Sequence, residues 1–360
     1  MADRYPLFIA NRNRLYENTK KILDLCRPYG VQLTAVTKGF NSIPECCQTL
    51  YETGCINIAS SRVEQLREVK AFNASISTML IRIPMFSEIP AVVCFADSSL
   101  VSEVETLCRL NEEAGHQRKL HRVILMRDLG DLREGFFSGE DLLEAALLVE
   151  NKLPNLELYG IGTNLNCYGS VLPTYTNLSE LGFCAGEIEK RIWRKLEIVS
   201  GGATTTLPVL LRGEVPPEIN HLRLGECLYA PPTAWDFDLE GMRRDVFQIQ
   251  AQIVELNSKP TFPIGERGKA SFGKIRQYTD SGIRKRAIVA LGNQDMGDAA
   301  GVLRPQDAQI KVLGASGDHT ILDIEDCRTQ YRLGDIITFN MLYQGCIYSS
   351  MSPTVFRTVV

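Results

Sequence analysis

The sequence predicts a closed parallel α/β barrel, a (β/α)8 arrangement, followed by a smaller β-rich domain. Three observations carry this. Apolar strand-like runs alternate with amphipathic helical stretches from about residue 10 onward. Eight such strands fit within roughly the 250 residues usual for a closed barrel. Helical periodicity then becomes scarce beyond Pro231-Pro232. The expected division is a barrel over residues 1–235 and a β-rich domain over residues 236–360. An open doubly wound sheet remains an alternative, because periodicity does not show closure.

The elements follow in order. Residues 11–29 carry apolar side chains at Leu15, Ile22, Leu23 and Leu25, the spacing of an amphipathic helix that Gly30 ends. A short apolar strand covers 31–37, a helix 44–53 closed by Gly54, a strand 56–59 and a helix 62–71. Strands at 76–83, 92–95, 122–126, 156–162, 196–200 and 221–224 bring the total to eight. Helices over 100–114, 140–151 and 178–193 lie between them. In the second domain, strand-like runs at 247–256, 285–291, 320–324 and 336–340 are separated by Gly and Asp.

Composition excludes several classes of function. Over 360 residues the chain is 44% hydrophobic and 23% charged, with a formal net charge of -4. That is an ordinary globular balance, and it lacks the basic field a nucleic-acid or anionic-membrane binder needs. The 11 cysteines are scattered, with one adjacent pair at Cys46 and Cys47 and no CxxC spacing. The histidines His116, His121, His221 and His319 do not supply zinc-ligand separations, so no metal is expected. Scattered thiols without a basic-then-apolar amino terminus point to the cytoplasm. No apolar run approaches the roughly 20 residues of a membrane helix.

Barrel active sites form at the carboxyl ends of the strands. The first strand ends in Thr37-Lys38-Gly39. A lysine after a buried run is desolvated, which lowers its pKa and suits it to form a Schiff base; the alternative is a side chain snorkelling at the rim. The fifth strand leads to Arg127-Asp128 and Arg133, and the sixth to Thr163-Asn164 and then Asn166-Cys167-Tyr168-Gly169. The seventh opens Ser200-Gly201-Gly202-Ala203-Thr204-Thr205-Thr206, small and hydroxyl residues that can surround a phosphate or simply form a Gly turn with a Thr cap. The eighth ends in Arg223-Leu224-Gly225. A lysine on the first strand facing a phosphate cradle on the last two is the arrangement that pyridoxal phosphate requires.

These segments resemble the alanine racemase-type, barrel-fold family of pyridoxal-phosphate enzymes, and within it the ornithine racemase-like branch. Ala35-Val36-Thr37-Lys38 is similar to the family's lysine strand. Residues 126–135, from Met126 through Arg133 to Gly135, resemble K-x-D-T-G-M-x-R-x-G, with Met126 in place of the usual modified lysine. Residues 223–229, Arg223 to Tyr229, match R-x-G-x-x-L-Y, and Gly317-Asp318-His319 through Asp323 resembles M-D-x-x-x-x-D. The likeness covers nearly the whole chain.

The resemblance implies an amino-acid racemase using pyridoxal 5'-phosphate, with Lys38 bonded to the cofactor and moving a proton at one face of the substrate. Arg223 would face the pyridine nitrogen and, staying protonated, keep that nitrogen unprotonated. Ser200, Gly201, Thr204, Thr205, Gly225 and Glu226 would surround the phosphate. Arg133 would lie near the phenolic oxygen and Asn164 against the ring. It also implies a head-to-tail homodimer whose partner β domain closes each site.

Two departures bear on mechanism. Relatives carry an opposite-face tyrosine in A-x-G-Y, whereas this chain reads Ala290-Leu291-Gly292-Asn293, and an asparagine is no useful base at neutral pH. Cys167 and Tyr168 are candidate replacements, with Asp318 and Tyr343 weaker ones; an inert buried thiol and core packing are the alternatives for Cys167 and Tyr343. Ser42 stands where relatives often have a phosphate-binding tyrosine. The replaced tyrosine and the ornithine racemase likeness favour ornithine or another amino acid over alanine; Glu226 or Asp318 could meet a basic side chain, the alternative being a solvated surface acid. Two rival readings are a decarboxylase on this fold, against which Arg223 argues, and a non-catalytic pyridoxal-binding protein, against which the second domain argues.

Overall fold

The computed structural model describes residues 4–230, 239–269 and 277–360. It divides into two compact units: Arg12–Arg243, and Met1–Asn11 joined with Arg244–Val360. The boundary expected at residue 235 lies outside the described residues. Among the described residues no helix is long and apolar enough to cross a membrane.

The first unit is a closed barrel of eight parallel strands: β2 (Gln32–Val36), β3 (Asn57–Ser60), β4 (Thr78–Leu80), β5 (Ser98–Val101), β6 (His121–Met126), β7 (Leu156–Gly162), β8 (Ile198–Ser200) and β9 (His221–Leu224). The strand β1 (Leu7–Ala10) belongs to the other unit, pairing with the strand that begins at Phe247. Closure is set by β2 pairing in parallel with both β3 and β9, with Thr34 opposite Asn57 on one side and Arg223 on the other. The helices α1 (Arg12–Cys26), α2 (Pro44–Glu52) and α3 (Val63–Phe72) occupy the expected stretches. So do α6 (Gly139–Lys152) and α7 (Tyr175–Ile192). Val36, Ala59, Met79, Leu100, Ile124, Met126 and Ile198 form one buried cluster contributed by six of the barrel strands. A larger cluster joins Leu142, Ala145 and Val149 of α6 and Leu178 and Leu181 of α7 to Val123, Leu125 and Ile161 of the strands.

One element differs from the sequence reading. Residues 92–95 were expected as the fourth strand but lie in the helix α4 (Ile89–Phe95), with Pro90 in its first turn. Pro90 is well placed there, where no intrahelical N–H is needed. A short run of Val-Val-Cys-Phe does not distinguish a buried strand from a short helix packed on the core. The strand is β5, which the sequence reading split between a loop and the start of the next helix; α5 begins only at Val104. Ser98 and Ser99 hide β5 in the pattern, yet both are buried, and the Ser99 Oγ lies 2.8 Å from His121 Nε2.

The second unit is a largely antiparallel sheet. It contains β10 (Phe247–Pro260), β11 (Ile283–Val289), β12 (Leu303–Pro305), β13 (Lys311–Ala315), β14 (Thr320–Asp323), β15 (Ile336–Met341) and β16 (Phe356–Val359). The strand order is β12-β15-β10-β11-β14-β13, and β1 joins β10 antiparallel and β16 in parallel. A register shift between Ile253 and Glu255 lets the long β10 serve β15 and β11 along different parts of its length. A helix over Tyr343–Met351 also belongs to this unit, where helical periodicity in the sequence is scarce.

Candidate active site

Lys38 opens a tight turn directly beyond β2. The backbone N–H of Thr37 donates to Ala59 of β3 at 2.8 Å, and its hydroxyl reaches the same carbonyl at 3.0 Å and Ser42 Oγ at 2.7 Å. Ser42 donates onward to Gln65 Oε1 at 3.3 Å, and Gln65 Nε2 donates to Asn41 Oδ1 at 2.7 Å. The turn carrying Lys38 is therefore tied to β3 and α3. Ser42 is buried within this cluster, which accounts for a serine there without any role at a phosphate. Burial lowers the Lys38 pKa from its usual value; the Arg133 charge and, less so, Arg223 push the same way, while Cys167 and Glu134 oppose them. Lys38 is thus in the electrostatic company of residues that lie far from it in sequence.

Arg133 lies on the loop after β6. It pairs with Glu134 and donates through Nη1 to Cys167 Sγ at 2.6 Å. The Asn164 amide, with its oxygen turned to the guanidinium, accepts from Nη1 at 2.9 Å. Asp131 joins the loops after β6 and β7: its carboxylate accepts from the backbone N–H of Cys167 at 3.2 Å, Tyr168 at 2.9 Å and Val171 at 3.1 Å. Burial alone would raise the Asp131 pKa, but these backbone donors outweigh it and hold the carboxyl below its ordinary value. Gly135 returns the β6 loop against its own start at φ 133°, where a Cβ would lie 2.4 Å from the Asp128 nitrogen.

Arg223 comes from β9 and is buried. Its Nη1 donates to Ser200 Oγ and its Nη2 to the Thr163 carbonyl at 2.7 Å. Among the described residues no carboxylate lies within ion-pair distance of it, and those two bonds satisfy two of its five N–H groups. Burial is the main reason its pKa falls to about 10, with Arg133 adding repulsion and Glu134 partly compensating.

The segment after β8 divides its labour. The Gly201 amide is committed to the His221 carbonyl at 3.0 Å, and a Cβ at Gly201 would lie 2.6 Å from Ile219 Cγ2. Gly201 is therefore needed for close packing. Gly202 turns the chain at φ 113°. Among the described residues, the amides of Ala203, Thr204 and Thr205 meet no protein acceptor. Thr204 is buried, with its Oγ1 3.6 Å from Cys227 Sγ and 3.5 Å from the Gly225 nitrogen, which ties the two phosphate-type turns together. Thr205 Oγ1 is 3.4 Å from the Leu165 carbonyl, and Glu226 begins the one-turn helix Glu226–Tyr229.

The barrel thus brings Lys38, Arg133, Asn164, Cys167, Ser200, Thr204 and Arg223 to one end of the sheet. Cys167 is exposed, in contrast to Cys46 and Cys227, whose thiols burial pushes up to about 12. Tyr168 is 74% exposed while its backbone N–H is held by Asp131. Asp318 belongs to the other unit, in the turn where the Ser316 N–H donates to the His319 carbonyl at 2.8 Å. Asn293 has a structural task in that unit, since its Oδ1 accepts from the Ala299 N–H at 3.0 Å. Tyr343 is half-buried at the start of the helix Tyr343–Met351. Sequence reasoning assigned no role to Glu134, Asp131 or His221, although the first two stand within the recognised segment; nothing local marks His221, whose partners are on other strands.

Charge and donors fit the cofactor expected here. Three cations, Lys38, Arg133 and Arg223, face one carboxylate, Glu134. Beside them lie amides without protein acceptors, the pattern that holds a phosphate and an anionic ring.

Comparison with known proteins agrees with this geometry. The family model for the alanine racemase N-terminal domain matches residues 10–231. The chain is 43% identical over 340 residues to an ornithine racemase of Acetoanaerobium sticklandii, covering 94% of this chain and 95% of that protein. It is 33% identical over 352 residues to a lysine racemase of Thermotoga maritima, covering 98% and 97%. An alanine racemase of Clostridium difficile 630 has the same fold, with a TM-score of 0.74 at 15% identity, covering 100% of this chain and 97% of that one. A residue-level match across the barrel and near-complete coverage of the racemase relatives lead to one conclusion: this chain belongs to the alanine racemase family.

Proposed function

We propose that this chain inverts the α-carbon of free ornithine, or of a similar amino acid with a basic side chain, using pyridoxal 5'-phosphate bound at the Lys38 end of the barrel. The chain is an amino-acid racemase, an isomerase, on the strength of its family and full-length relatives. The preference for a substrate other than alanine is supported by the ornithine and lysine racemases it resembles. The observation that carries the cofactor reading is the desolvated Lys38 beside Arg133 and Arg223, with open backbone amides after β8.

When bound, pyridoxal phosphate supplies an electron sink that acidifies the substrate's α-proton. This chain's residues supply the rest. Lys38 Nζ, kept poorly solvated, takes or returns the α-proton at one face. Arg223 would turn its positive charge toward the ring nitrogen of that group, which would keep the nitrogen unprotonated and disfavour decarboxylation and transamination. The amides of Ala203, Thr204 and Thr205, with those at the Gly225 turn, would hold the phosphate. Arg133, which Asn164 positions, would meet the phenolic oxygen.

Cys167 is our candidate for the opposite face, because its sulfur is exposed and accepts from Arg133. Tyr168 and a partner subunit's Asp318 are the remaining candidates. We take residues 12–230 as the cofactor-bearing part, and a second copy's β-rich unit as what closes the site in a homodimer. Scattered free thiols accord with a cytoplasmic setting.

The test uses two measurements. The purified protein should show the visible absorption of pyridoxal held on a lysine, and Lys38→Ala should lose it. Exchange of the α-proton in heavy water, screened over the amino acids, should be fastest with ornithine or lysine. Absence of exchange with every amino acid would overturn the racemase reading for this chain.

A further inference from the structure

Ser200 and His221 stand opposite each other in the β8–β9 pairing, and both are fully buried. Ser200 Oγ meets Arg223 Nη1 on one side and His221 Nδ1 at 2.8 Å on the other. A guanidinium only donates, so the serine oxygen accepts from Arg223 and its single hydrogen is left for His221 Nδ1. The imidazole proton then sits on Nε2, which donates to Thr34 Oγ1 at 2.8 Å. Asn57 Nδ2 approaches that threonine oxygen at 3.4 Å, and Asn57 Oδ1 accepts from Ser77 Oγ at 2.6 Å. A directed chain of hydrogen bonds thus runs from Arg223 of β9 through Ser200 of β8 and His221 of β9 to Thr34 of β2, where Asn57 of β3 donates from the other side.

We propose that His221, acting through Ser200, is a positioning residue that sets the plane in which Arg223 presents its unused N–H groups to the cofactor ring. This rests on the reading of the site as a pyridoxal site. Arg223 has no carboxylate to orient it, so its geometry depends on two acceptors, the Thr163 carbonyl and the Ser200 hydroxyl. A carbonyl has fixed lone pairs, whereas a hydroxyl rotates. Committing the serine hydrogen to His221 removes that freedom and polarises the oxygen toward Arg223. Burial, with the Arg223 charge as a lesser cause, pushes the His221 pKa down to about 3, so Nδ1 keeps its lone pair at neutral pH.

Three variants separate the contacts. His221→Asn places an amide group near the position of Nδ1 and can still accept from Ser200. His221→Gln reaches toward Thr34 but leaves Ser200 without its acceptor. His221→Phe fills the space and makes neither bond. In the cofactor-free protein, nitrogen NMR of labelled histidine should show His221 as the Nε2–H tautomer at neutral pH, and Ser200→Ala should move the Nδ1 signal.

In protein loaded with pyridoxal phosphate, His221→Gln and His221→Phe should weaken the cofactor Kd by about tenfold, the equivalent of one hydrogen bond to a charged group, and shift the visible band. His221→Asn should stay within about twofold of the parent by the same reasoning. A protonated or Nδ1–H imidazole overturns the proposal, as does a His221→Phe protein with unchanged Kd and band. So does a His221→Asn protein as impaired as His221→Phe. If the parent chain takes up no pyridoxal phosphate, the reading of the site fails as well; if it does and the variants do not differ, this inference alone falls.

Discussion

Lys38, half-buried, and Arg223, buried, are cations held without a carboxylate directly on either, a configuration that favours function over stability. For Lys38 this gives a measurable sign. Its folded pKa is lowered, so below that value both folded and unfolded chains carry the charge and the folded state bears the full desolvation penalty. The penalty fades as pH rises through the folded pKa and is gone above the ordinary value of 10.5. Lys38→Met should therefore stabilise the cofactor-free protein at neutral pH by about 1 kcal/mol or more, and the gain should shrink as pH approaches 10.5. Urea unfolding at several pH values measures this, and a destabilised variant would contradict it. At this scale the sequence was informative wherever position relative to a strand end mattered: Lys38, Arg133, Arg223 and the Thr204 segment stand out on that ground. His221 does not, because its role comes from Ser200 and Thr34, 21 and 187 residues away in sequence.

Among the elements, the loops after β6 and β7 act as one piece because Asp131 accepts from three backbone N–H groups of the second loop. Removing that carboxylate should free Cys167 and Tyr168 while leaving the barrel intact. Asp131→Ala should cost about 2 kcal/mol of stability, from lost charge-assisted bonds to a partly solvated loop, and should lower kcat more than it changes cofactor affinity. Thermal unfolding, steady-state kinetics and a cofactor titration distinguish the effects; an unchanged kcat would show that loop order is irrelevant to turnover. Element boundaries were readable where amphipathic periodicity was long, as in α1, α6 and α7, and where an apolar run was bounded, as in β7 and β9. They were misread at α4 and β5. There a short β-branched run packs as a helix, and two buried serines open a strand in which Ser99 meets His121.

For the whole molecule, the proposed dimer makes a prediction of its own. If one copy's Asp318 serves the barrel of another, Lys38→Ala and Asp318→Ala should each be inactive alone. After joint unfolding and refolding, random reassortment should return about a quarter of the parental activity, since half the dimers then hold one intact site. Recovery confined to the separately measured backgrounds would place the second base within a single subunit and favour Cys167. Sedimentation of the parent supplies the oligomeric state independently.

The sequence by itself determined the class of fold and the family, and it marked Lys38 and Arg223 as site candidates, because strand-end position and local motif are properties of short segments. Tertiary structure decided that the barrel closes through β2 and β9, and that β1 leaves the barrel for the β-rich sheet. It decided that Ser42 and Asn293 are consumed by internal hydrogen bonds, and that Arg223 is oriented through Ser200 by His221. The physical reason is common to all four. Each depends on which polar groups must find partners once water is excluded, and those partners are chosen by the packing of distant strands.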